Sequence, residues 1–91
     1  MPLFLIERTF AQEVDVDSAT VTQIRQINDT VGIEWLYSFL SADRRKTYCL
    51  YEAPSAAAIR EASRRLDIPA DAIIPVSELR PDELAQAAPA G

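Results

Sequence analysis

A chain of 91 residues, 48% hydrophobic and 25% charged, fits one globular domain; it is too apolar for a disordered segment, and its apolar runs are too interrupted for a membrane span. Nine basic residues against 14 acidic ones leave a formal charge of −5, which repels phosphate backbones, so no nucleic-acid partner is expected. A single cysteine, Cys49, cannot close an intrachain disulfide, and the absence of histidine removes the usual neutral-pH general base and the commonest transition-metal ligand.

Residues 3–10 are rich in Leu, Ile and Phe without Gly or Pro and read as a first strand, with Leu3, Leu5 and Glu7 on one face and Phe4, Ile6 and Arg8 on the other. This opening has no cationic lead or long apolar stretch, so a cytoplasmic protein with no membrane partner is expected. Asp17 can cap a helix in which Val21, Ile24, Ile27 and Val31 recur at helical spacing, and Gly32 stands where such a helix turns left-handed. Residues 33–40 read as a second strand, with Ile33, Trp35, Tyr37 and Phe39 on one face and Leu36, Ser38 and Leu40 on the other.

Residues 41–45 are short and polar enough to join a hairpin to a third strand at 46–52. Pro54 ends that strand, Ser55 caps a second helix with Ile59, Ala62 or Ser63, and Leu66 inside, and Ile68-Pro69 stops it. A fourth strand at 72–79 contains Pro75, which belongs at a sheet edge. The expected organisation is a domain over residues 1–79 and a Pro/Ala-rich flexible tail over 80–91.

The order β-α-β, repeated from the hairpin, is that of an α+β, ferredoxin-like β-α-β-β-α-β sandwich: a four-stranded antiparallel sheet with two helices on one face. Right-handed crossovers place the first and third strands centrally and the fourth at an edge, in agreement with Pro75. The other face of such a sheet is bare in a monomer, yet strands one to three read as apolar on both sides. The expected solution is a homodimer, sheet against sheet, as in a dimeric α+β barrel.

Five residues stand out as candidates for chemistry. Cys49 is a possible metal or redox thiolate, and otherwise a small buried hydrophobe. Glu7 sits in register with Leu3 and Leu5, a carboxylate among apolar neighbours, unless it is a plain surface charge or pairs with Arg8 or Arg60. Glu52 closes the third strand as a second carboxylate. Trp35 and Tyr51 are large aromatic groups suited to the wall of a ligand site or to an interface.

The run Val31-Gly32-Ile33-Glu34-Trp35-Leu36, the stretch from Ser41 to Ser55 with Cys49-Leu50-Tyr51-Glu52-Ala53-Pro54 at its centre, and the opening Leu3-Phe4-Leu5-Ile6-Glu7-Arg8 together resemble a family of small bacterial proteins of unknown function. That family includes a nickel-binding protein with a dimeric ferredoxin-like fold. The resemblance implies a metal, nickel by analogy, near the dimer interface, with Cys49 and, more weakly, Glu52 and Glu7 carried over as ligands. The chain departs from the metal-binding relatives in its second helix, where Ile59-Arg60-Glu61-Ala62-Ser63-Arg64-Arg65 holds no histidine. A thiolate with hard carboxylates and no imidazole makes a poor nickel set. The expected function is therefore a small dimeric binding protein that holds a metal ion or small-molecule ligand through Glu7, Trp35 and Tyr51 or Cys49 and Glu52. The alternative is a dimeric α+β barrel enzyme acting on a small organic substrate.

Overall fold

A computed structural model describes residues 1–83. Its elements run β1 (Leu3–Thr9), α1 (Ser18–Val31), β2 (Glu34–Leu40), β3 (Lys46–Glu52), α2 (Ala56–Leu66) and β4 (Ala72–Val76). The sheet order is β2-β3-β1-β4 and every pairing is antiparallel. This is the expected ferredoxin-like sandwich. β1 and β3 are central, and Pro75 lies on edge strand β4, where its missing N–H leaves no gap in an interior ladder.

The helix boundaries follow from local chemistry. Asp17 accepts a 2.8 Å hydrogen bond from Thr20 N, and Ser55 accepts one from Ala58 N at 3.3 Å, so each helix begins with a satisfied donor. Gly32 closes α1 at φ 73° and receives the chain into β2. The second helix ends earlier than Ile68-Pro69: Asp67 turns left-handed at φ 54°, and Asp67 N and Ile68 N bond back to Arg64 O and Ser63 O. The fourth strand also ends early, at Val76, where its pairing with Leu3 stops. A helical turn opens at Pro81, and the remainder of the expected tail, 84–91, lies outside the described residues.

Alternation along β1 sorts the molecule into two sides. Phe4, Ile6 and Arg8 are buried beneath the helices, while Leu3, Leu5 and Glu7 face the open side. Phe4 pairs with Tyr51 and Ile6 with Cys49, so the strand-three residues of the core are Cys49 and Tyr51. They pack with Ile33, Ala53, Ile59 and Ala62. The half-buried stripe of α1, with Ile27 and Val31, closes over this cluster.

The face assignment expected for β2 is corrected by a bulge. Trp35 pairs with Tyr51 and Tyr37 with Leu50, so Leu36 is an extra residue between consecutive partners. One inserted residue reverses every side chain beyond it. Trp35 therefore lies on the helix side, whereas Tyr37 and Phe39 turn to the open side and stack edge-on with centroids 5.6 Å apart.

Gly32 carries a clean test of the helix exit. A Cβ built there meets nothing within 4 Å, so Gly32→Ala has no steric penalty beyond its positive φ. Denaturant unfolding should show a loss of about 1–2 kcal/mol with an unchanged m-value; an unaffected midpoint would show that the left-handed turn is not needed to end α1.

Candidate functional site

Beneath the sheet, between its helix-facing side, the start of α1 and segment 10–17, lies a cavity of about 390 Å³. Its walls are mostly apolar, supplied by Phe10, Val14, Ile24, Leu40 and Ile68, with Trp35, Cys49 and Tyr51 along the sheet side. Three of the five candidates from the sequence are thus brought together. The Trp35 and Tyr51 rings lie 6.5 Å apart at 33°, and Trp35 Nε1 donates a 2.7 Å hydrogen bond to Ser38 Oγ. Cys49 is buried, and its Sγ lies 3.6 Å from Thr47 Oγ1.

The segment that roofs the cavity is tied to the β2–β3 hairpin. Phe10 N and Val14 N donate to Arg45 O and Arg44 O, and the Arg44 guanidinium returns a 2.8 Å bond to Val14 O. Arg44 thus acts as a structural clasp between the hairpin turn and segment 10–17. The hairpin itself is held by Ser41 and Asp43. Hydrogen bonds from the Ser41 hydroxyl and Arg45 N keep the Asp43 carboxyl below its usual range.

Sequence reasoning missed the most unusual member of the site. Arg8 lines the cavity at 3% exposure, with Nη1 donating to Ser63 Oγ at 2.9 Å and Pro69 O at 2.6 Å. Its guanidinium carbon lies 5.9 Å from the Tyr51 ring centroid, within cation–π range. The signal was present in the alternation: Arg8 shares its face with Phe4 and Ile6, the more deeply buried set.

Glu7 and Glu52 are not part of this cavity. Glu7 is half-buried on the open side, and its partner is Lys46 at 3.8 Å. Arg8 cannot pair with it, because adjacent strand residues point to opposite faces. Lys46 also stands 5.3 Å from the Tyr48 ring centroid, on the same side. Glu52 is half-buried at the end of β3 and lies directly opposite Glu34 across the β2–β3 ladder.

Cys49 and Glu52, three positions apart on one strand, likewise point to opposite faces. Among the described residues no three of His, Cys, Asp and Glu come together as a metal-holding group. One thiol and one carboxylate separated by the thickness of the sheet do not fit a nickel centre within one chain. A second, more open groove of about 620 Å³ runs past the end of α1, with Arg25, Asn28, Asp29 and Glu34 at its rim and Trp35 between it and the first cavity. Asn28 is buried, and among the described residues neither of its amide atoms makes a hydrogen bond of ordinary geometry.

The model of the nickel-responsive SCO4226-like protein family matches residues 4–76. The chain belongs to this family. Among solved structures it is similar to SCO4226 from Streptomyces coelicolor A3(2), at 21% identity and a TM-score of 0.66, over 86% of this chain and 99% of that one. At that identity the likeness concerns the fold. No curated protein matches the chain. The SCO4226-like match spans β1 to β4 and therefore includes every residue of the helix-side cavity.

Tyr51 gives this cavity a pH signature. Burial raises its phenol above the usual value of 10.0, against the opposing pull of the Arg8 cation. The folded state favours the neutral phenol, so stability from this group is full below about pH 10 and declines as the unfolded chain ionises first. Wild-type stability should therefore fall more steeply than that of Tyr51→Phe above about pH 10, as read by urea midpoints at matched ionic strength; parallel slopes would place the phenol in contact with water.

Proposed function

We propose that this chain is a small binding protein that acts as a homodimer and holds an organic ligand in the helix-side cavity, with Trp35 and Tyr51 as aromatic walls and Cys49 beside them on β3. The observation that carries this reading is the cavity itself. A volume of about 390 Å³ is within the range of small-molecule sites. Aromatic faces with a few polar atoms are the usual lining of such sites.

A neutral fluorescent probe, N-phenyl-1-naphthylamine, tests this directly. Its emission should rise saturably with wild-type protein. Leu40→Trp, a substitution at the half-exposed rim of the cavity, should reduce the uptake while circular dichroism stays unchanged. Absence of uptake by the wild type would overturn the reading. Nickel titration should give no stoichiometric complex, and tight uptake that survives Cys49→Ala would require a metal site elsewhere in the chain.

The homodimer reading is supported by the open side of the sheet. Tyr37, Phe39 and Ile74 are 51%, 61% and 42% exposed there, and Leu3 and Leu5 are half-buried between them. Covering such side chains is worth roughly 1.5–3 kcal/mol each for full burial. A second copy meets this face through a twofold axis without requiring a different partner. Sedimentation at micromolar concentration should give twice the monomer mass, and Phe39→Lys should shift the protein toward monomer. A wild-type monomer would leave the face for another occupant.

A further inference from the structure

We infer that the helix-side cavity takes a monocarboxylate with an apolar body, its carboxylate paired with Arg8. This rests on the reading of the cavity as a ligand site and names the chemistry of the occupant. Arg8 is almost wholly buried, yet among the described residues no carboxylate forms an ion pair with it. Its two hydrogen bonds, to Ser63 Oγ and Pro69 O, leave from the same nitrogen, Nη1, and use both protons of that group.

Among the described residues Nε and Nη2 donate no hydrogen bond of ordinary geometry, the Tyr51 hydroxyl is their polar neighbour, and the guanidinium lines the cavity. A buried guanidinium without a counter-charge is costly, and three N–H groups in a planar fork are the geometry that receives a carboxylate.

The rest of the wall decides between anions. One cation offsets one negative charge, whereas a phosphate monoester brings about 1.5 to 2 negative charges into mostly apolar surroundings. Phe10, Ile24, Leu40 and Ile68 offer nothing to a polar body and suit an alkyl or aryl one. Asp15, the acidic group on the cavity wall, is exposed; it disfavours a second negative charge and leaves the buried end to Arg8. Trp35 and Tyr51 supply the flat surfaces beside the fork.

Trp35 is the chain's single tryptophan and lines the cavity, so its emission reports occupancy. Wild-type protein titrated with octanoate and with 1-octanol should bind the acid about tenfold or more tightly. Arg8→Met should abolish that ratio, and Arg8→Lys should keep part of it. If octanol binds as tightly as octanoate to the wild type, the carboxylate inference fails while the ligand-site reading stands. If neither alters Trp35 emission and the naphthylamine probe is also excluded, both fail. The wild-type ratio decides the matter even where Arg8→Met does not fold.

Discussion

The guanidinium of Arg8, held under the sheet, links parts of the chain that are far apart in sequence. From near the end of β1 it bonds the Ser63 hydroxyl on α2 and the Pro69 carbonyl in the connection to β4, and it lies against the Tyr51 ring on β3. A single buried donor thus ties the second β-α-β unit to the first. A cation at this depth is tolerated only while its hydrogen bonds are met. That requirement constrains the end of α2: Ser63 must face inward, and the chain after Asp67 must present the Pro69 carbonyl toward β1.

The same residue sets the character of the cavity. Ile6, two positions before Arg8, is sealed in the core among Cys49, Ile59 and Ile73. Beyond Arg8, segment 10–17 runs to the start of α1 along the cavity, with its middle fastened to the hairpin by Arg44.

The two sides of the sheet have different chemistry. On the helix side, Cys49, Trp35 and Tyr51 share one lined void with Arg8. On the open side, Glu7 pairs with Lys46, Glu52 faces Glu34, and Tyr37 and Phe39 stand out from the surface. The division bears on the nickel-responsive family to which the chain belongs, because the thiol and the carboxylates suggested by that resemblance lie on different sides of one sheet. The proposed ligand site and the proposed subunit contact accordingly lie on opposite faces of the sheet.

Local sequence signals determined the element order and the caps. Asp17 and Ser55 offer short acceptors before periodic apolar runs, Gly32 permits the left-handed exit, and Pro75 restricts β4 to an edge; each acts through its own backbone and neighbours, so each was legible in the chain alone. The early stop of α2 at Asp67 was hidden because a non-glycine residue took the left-handed turn, which proline two positions later did not require. The faces of β2 were hidden for a related reason: residues 33–40 alternate cleanly in the sequence, and only pairing against β3 makes Leu36 an extra residue that reverses Tyr37 and Phe39 relative to Trp35. Alternation also placed Glu7 and Arg8 on opposite faces from the start, but it could not say which face the helices would cover. Tertiary packing decided that, because burial against α2 is a property of the assembled layers and not of either residue, and it left the carboxylate in reach of Lys46 and the guanidinium alone beneath the sheet.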